Sequence, residues 1–144
     1  MSLSVTIARD GADLVIGDHP NDGAFWIPED GITWPSFPMR RTYIPDSEAQ
    51  GGRSHRAAVP DEGQTSLRVY VHADTLVGLL AAMDELEAAT SQFTYDLTVT
   101  VDGSMSRTWP AKSELPQWGE FRSGMVRAKM IVGTITIPLN PVGA

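Results

Sequence analysis

The chain has 144 residues, of which 42% are apolar and 20% charged, and its net charge is −7 at pH 7. This length and composition predict one folded domain spanning residues 1–144, since about 100–200 residues make a domain. The lack of cysteine excludes disulfides, thiolate metal sites and iron–sulfur clusters, and the negative charge argues against a general nucleic-acid binder.

The first third of the chain reads as short strands. Leu3, Val5 and Ile7 alternate with polar residues, and Asp10-Gly11 predicts a tight turn into a second strand at Leu14-Val15-Ile16. Residues 24–27 predict a brief apolar strand ended by Pro28. The proline-rich run 34–38 suggests an extended edge, and residues 40–44 suggest a further strand.

Residues 46–64, DSEAQGGRSHRAAVPDEGQ, hold almost nothing to bury. They predict a long loop or arm of 19 residues, a length that compact domains seldom carry without a function.

After this arm the hydrophobic period changes. Leu67, Val69 and Val71 alternate as in a strand, and an amphipathic helix is then expected over residues 75–89 with Asp74 as its N-cap. The apolar stripe expected to face the core consists of Leu76, Leu79, Leu80, Met83 and Leu86.

The last third again alternates. Residues 93–101 predict a regular strand, Asp102-Gly103 a turn, and 105–109 its partner, with Pro110 and Pro116 framing a short connection. A final strand is expected over 125–139, with Val126, Ala128, Met130 and Val132 inward, then Ile135, Ile137 and Leu139. This change of phase predicts a bulge or bend at Gly133.

About eight strands with one inserted helix predict a mainly β fold. We expect an antiparallel β-sandwich or barrel on which a single α-helix packs over a sheet edge or an open barrel end.

Few features of the sequence indicate a catalytic, cofactor or metal site. His19, His55 and His72 lack metal-ligand spacing, and the acids of residues 10–22 lack the spacing of a calcium loop. There is no nucleophile elbow and no phosphate-binding glycine motif. We therefore expect no enzyme, no catalytic residue, no cofactor and no metal. No apolar run is long enough for a membrane helix, and no signal peptide is visible.

The tryptophans Trp26, Trp34, Trp109 and Trp118 lie near prolines or turns. Three interpretations stay open: caps of the core, anchors of a protein interface, or platforms on which a sugar ring stacks.

The segment Thr65 to Val101, TSLRVYVHADTLVGLLAAMDELEAATSQFTYDLTVTV, places strand, helix and strand in a distinctive order. This order resembles the tail-tube-like fold of long-tailed bacteriophages, which occurs in their tail tube, distal tail and other minor tail proteins. The run LRVYVHADTLVGLLAAMDELEAA is similar to the strand-then-helix passage of distal tail proteins. The Pro-rich run WIPEDGITWPSFPMRRTYIP departs from the family, and the chain would be a tube-fold domain without a second one.

The resemblance implies a structural virion protein of the phage tail, made in the host cytoplasm. Such subunits join into rings, hexamers or trimers, by pairing sheet edges, and the rings join or extend the tail tube or tail tip around a DNA channel. The implied partners are other copies and neighbouring tail proteins. DNA passes without being specifically bound, and no membrane is involved.

For assembly, the candidate interface residues are Arg40, Arg41, Arg53, His55, Arg56, Trp109 and Trp118. The basic residues of the arm would reach an acidic surface of an adjacent subunit. The alternative is a small carbohydrate-binding β-sandwich that uses Trp109 or Trp118 as its platform.

Overall fold

The computed structural model describes residues 3–20, 23–41, 58–119 and 129–141. One helix, α1, spans Leu76–Thr90. The strands are β1 Leu3–Ile7, β2 Leu14–Ile16, β3 Phe25–Trp26, β4 Ile32–Ser36, β5 Met39–Arg41, β6 Ala58–Pro60, β7 Gly63–His72, β8 Thr94–Val101, β9 Met105–Lys112, β10 Gln117–Trp118 and β11 Met130–Leu139.

Nine of these strands form one antiparallel sheet in the order β2-β1-β8-β9-β11-β7-β3, with β4 beside β7 and β10 beside β11. A single parallel bridge between Gly17 and Trp26 brings the two ends of the sheet together, so the sheet forms a nearly closed barrel. The predicted mainly β fold with one packed helix is therefore confirmed.

The barrel interior is filled by the apolar residues that alternate along the strands. Val5 and Ile7 of β1, Leu97 and Val99 of β8, and Leu67 of β7 are buried there. The helix adds Leu79, Met83 and Leu86 to the same core. It lies against the end of β1, where Gln92 Nε2 donates to the Ala8 carbonyl at 2.9 Å and Arg9 pairs with Glu85.

The helix begins one residue later than the sequence indicates. Thr75, not Asp74, is the N-cap, and its Oγ1 accepts a 3.0 Å hydrogen bond from the Gly78 N–H. The predicted inward stripe is also partly wrong, because Leu76 and Leu80 are about half exposed while Ala82 and Ala89 are buried. The small alanines allow the helix to approach the barrel closely, and this rotates Leu76 and Leu80 toward solvent.

The predicted change of phase in the last strand is wrong. β11 pairs with β7 without interruption from Met130–His72 to Leu139–Gly63, so Gly133 is not at a bulge. Gly133 instead faces the core, where the indole of Trp118 occupies the space that a side chain would need. Met130 and Val132 are half-buried on the other face, and Val126 and Ala128 lie outside the described residues.

Pro110 lies inside β9 and does not end it, contrary to the expected connection. Its carbonyl accepts a hydrogen bond from the Asn140 N–H at 2.8 Å, so the main chain of Pro110 faces β11. The missing N–H is therefore on the side away from β8, and the β8–β9 ladder loses no bond at Pro110.

Both predicted turns join antiparallel strands. Asp102 and Gly103 adopt left-handed φ values of 54° and 70° between β8 and β9. The loop with Asp10-Gly11 is longer than the tight turn expected, since it covers residues 8–13. Part of the predicted arm is strand: residues 58–60 pair with 39–41 in a separate two-stranded sheet, and β7 begins at Gly63. Residues 46–57 of the arm lie outside the described residues.

We predict that Gly133→Val destabilises the protein, because a Cβ at Gly133 would lie 2.8 Å from Trp118 Cζ3. Overpacking of this kind costs about 1–3 kcal/mol in the free energy of unfolding, which urea titration measures. The matched control is Thr134→Val on the exposed face of the same strand, for which we expect a change within about 0.5 kcal/mol. Equal effects of the two substitutions would contradict this reading of Gly133.

Candidate assembly surface

The residues predicted to form an interface fall into three groups. Arg40 and Arg41 lie on β5, whose backbone pairs with β6. Arg53, His55 and Arg56 lie outside the described residues. The two tryptophans, Trp109 and Trp118, lie on strands of the barrel itself. Trp109 is the fifth residue of β9 and Trp118 is the last residue of β10.

The two predicted tryptophans differ in exposure. Trp109 is only 4% exposed and belongs to the core, so its ring presents no face on which a sugar could stack. Trp118 is half-buried, and its Nε1 donates to Glu87 Oε1 of the helix at 2.6 Å. The indole of Trp34 packs edge-on against Trp109 with ring centroids 5.6 Å apart, and Trp34 is 47% exposed. Trp34 is thus the surface member of this pair, which the sequence pattern did not distinguish.

The barrel wall is incomplete between β9 and β11. These strands share the single register pair Ala111–Leu139, whereas β8 and β9 pair along their whole length. In a strand, the main-chain N–H and C=O groups of every second residue point to the same side. Because the Pro110 main chain faces β11, those of Ser106 and Thr108 also point away from β8, toward the β11 side. Within the described residues, no strand pairs with them there. Among the described residues, this side of β9 is therefore a free edge.

The opposite end of the same four strands carries a second free edge. Gly17 uses its main chain to bond β3, through Phe25 O and Ile27 N. By the same alternation, the N–H and C=O of Val15 point away from β1 on that side, and no described strand pairs with them. The Val15 side chain is 55% exposed. In the described ranges, the order β2-β1-β8-β9 therefore forms a sheet with an unpaired edge at each end.

An apolar groove of about 660 Å³ adjoins the free edge of β9. Val99 and Val101 of β8 form its floor, and Trp34, Met105 and Arg107 stand around it. Met105 is 74% exposed. We call this feature the Trp34 groove.

The outer face of the four strands is rich in hydroxyl groups. The side chains come in cross-strand rows, Ser4–Thr100–Ser106 and Thr6–Thr98–Thr108. Thr98 and Thr108 share a hydrogen bond of 2.8 Å between their hydroxyls. We call these six residues the hydroxyl face. Two charged residues also point to this side, Asp96 of β8 and the ion-paired Lys112 of β9. Both lie at the end of the β8–β9 hairpin away from its turn.

No cluster suited to metal binding occurs among residues 3–20, 23–41, 58–119 and 129–141. His72 uses Nε2 in a 3.0 Å contact with the Pro20 carbonyl oxygen. In the same ranges, no helix has the length and apolar character required to cross a membrane.

Among the titratable groups of the described residues, one has a clearly shifted pKa. Burial raises the pKa of the Tyr95 phenol well above its ordinary value, and the nearby negative charge of Glu114 adds to this. The Tyr95 hydroxyl is buried and has no hydrogen-bond partner among the described residues. Tyr95 lies on the inner face of β8, so its role is in the core.

Three solved structures share this fold. The phage p2 baseplate in its activated conformation with Sr matches with a TM-score of 0.63 and 11% identity, covering 98% of this chain and 44% of that chain. The same baseplate with Ca matches with a TM-score of 0.60, 11% identity and the same coverage. The SPP1 Dit (gp 19.1) protein, described as a paradigm of the hub adsorption apparatus in phages that infect Gram-positive bacteria, matches with a TM-score of 0.57 and 17% identity, covering 96% of this chain and 49% of that chain.

These matches show that the chain shares the fold of these phage baseplate and Dit structures, which is the fold that the resemblance implied. The chain spans less than half the length of the structures it matches. No protein-family model matches the sequence, and no curated protein matches it.

We predict that the free energy of unfolding falls as the pH rises above about 10, the ordinary pKa of tyrosine. The folded state holds the Tyr95 proton more tightly than the unfolded state, so stability is complete below the unfolded pKa and is lost at higher pH. Tyr95→Phe removes both the ionisation and the unpaired hydroxyl. Urea titrations at pH 8 and pH 11 should show a smaller loss in the variant, and an equal loss would contradict the prediction.

Proposed function

We propose that the protein is a structural component of a phage tail, and that its copies join head to tail into a ring around a DNA channel. The observation that carries this proposal is the sheet β2-β1-β8-β9, whose two edges have no partner in the part of the chain that the structure describes, together with the fold of baseplate and Dit structures. An exposed edge is a template for pairing with another chain.

The two edges are compatible in direction. β1 is antiparallel to β2 and to β8, and β9 is antiparallel to β8. β9 and β2 therefore run in opposite directions, and β2 of one copy can continue the sheet of the next as an antiparallel neighbour. Because the two edges differ, the contact is heterologous, and repeating it generates a closed ring or an open helix.

The hydroxyl face supports the assignment of the channel wall. The core, β7, β11 and the helix all lie on the opposite side of the four strands, and this bulk fits only outside the ring. Four strands span about 19 Å, so six copies would give a wall about 115 Å around. The six hydroxyl side chains carry no charge, and Lys112 on the same side is ion-paired with Glu62, so the wall offers little to hold phosphates, which suits passage of DNA without retention.

The arm is proposed as a second contact between copies. Arg53, His55 and Arg56 give it basic groups, whereas residues 1–36 of the chain carry six acids and one base. Opposite charges of this kind guide the approach of subunits and fix their orientation. Arg40 and Arg41 precede the arm on β5. A structural role of this kind requires no catalytic residue and no cofactor.

The first experiment blocks the free edge of β9. Thr108→Pro removes the N–H that would pair with a neighbouring copy, on the side where Pro110 already shows that proline leaves the β8–β9 ladder complete. The control, Thr108→Val, keeps the N–H. We expect native mass from light scattering, with negative-stain images, to show rings for the wild type and Thr108→Val and monomers for Thr108→Pro. Rings formed equally well by the proline variant would overturn the pairing.

The second experiment tests the arm. Residues 48–57 are replaced by a short Gly-Ser turn, which keeps the strand β6 at residues 58–60. We expect circular dichroism to report a folded monomer and light scattering to report the loss of rings. A matched variant that keeps the length but changes Arg53 and Arg56 to serine separates the role of charge from that of length. Normal ring formation by the shortened chain would contradict a role for the arm.

A further inference from the structure

The Trp34 groove combines apolar surface, an exposed cation and a free strand edge at one place. Met105 and Trp34 are both exposed, at 74% and 47%, and they line the same groove as Val99 and Val101. Contiguous apolar surface of this kind marks interaction sites in soluble proteins.

The groove lies where an added strand would place its side chains. A strand that paired with Ser106 and Thr108 would run along β9. Its side chains on the inner face would lie beside Met105 and Arg107, which line the groove. In strand addition, main-chain bonds supply affinity and side-chain pockets supply specificity. The groove is therefore the part of this surface that can select its partner.

Charge indicates the occupant. Arg107 is exposed and forms no ion pair with the described residues. The β2 end of the same chain is acidic, since Asp10 and Asp13 precede β2 directly and residues 1–36 carry six acids against one base. A second copy that offers β2 to β9 thus brings negative charge to the side of Arg107.

We infer that the Trp34 groove receives the β2 end of a second copy, with Trp34 as the apolar anchor and Arg107 as the group that selects an acidic neighbour. This inference rests on the proposed ring and adds the residues that decide which surface joins β9. Edge pairing alone is tolerant of sequence, because every strand offers the same main-chain groups. The groove supplies the discrimination that the edge lacks.

The experiment measures the concentration at which half of the protein is assembled, by light scattering on the full chain. Arg107→Glu and Trp34→Ser are compared with Val77→Ser, a control at an apolar position on the helix that is 79% exposed. We expect each groove variant to raise the midpoint concentration about tenfold or more, and the control to leave it unchanged. Arg107 is exposed, so its variant also guards against a loss of assembly that only reflects misfolding.

A charge swap identifies the occupant. Asp10→Lys with Asp13→Lys should weaken assembly alone, and should restore it when combined with Arg107→Glu. If Arg107→Glu weakens assembly but the swap does not restore it, the occupant is another surface or another protein and the inference is overturned.

The outcomes separate the two proposals. Rings that form at the wild-type midpoint in both groove variants refute the role of the groove and leave the ring intact. A wild type that stays monomeric at every concentration counts against the ring itself.

Discussion

The stagger between β9 and β11 is the constraint on which the surface of this protein depends. The two strands share one register pair, so the N-terminal half of β9 extends past the end of β11, and no described residue pairs with that side of it. That overlap exposes the edge at Ser106 and Thr108, and it uncovers the apolar floor beside Trp34. A fully paired β9 would close the barrel wall and leave neither feature.

The same four strands separate two chemistries on their two faces. Their inner side chains join one apolar core with the helix, and their outer side chains form the hydroxyl face. A sheet with this division is stable as part of a single subunit, because only one face needs to be buried. Its outer face is then free to take a role that depends on being polar and uncharged.

Local patterns in the sequence predicted the elements with strict alternation. β1, β7 and β8 follow from apolar residues at every second position, and the Asp102-Gly103 turn follows from two residues that accept a left-handed backbone. The helix was also evident, although its cap is Thr75. Sequence patterns failed where contacts between distant elements determine the structure. The pattern predicted a bend at Gly133, but Gly133 lies in a regular strand and leaves space for Trp118 of another strand.

The candidate site shows the same limit. A sequence can mark Trp34, Trp109 and Trp118 as notable, but exposure depends on which strand each one faces, and only Trp34 stands at the groove. The local sequence does not predict a free edge either, because residues such as Ser106 and Thr108 occur in paired strands as well as in unpaired ones. A mainly β chain with one helix follows from local sequence, since alternation and helical spacing are local properties. Which of the described strand edges lack a partner depends on the folded structure, because strand register and stagger are set by residues far apart in the chain.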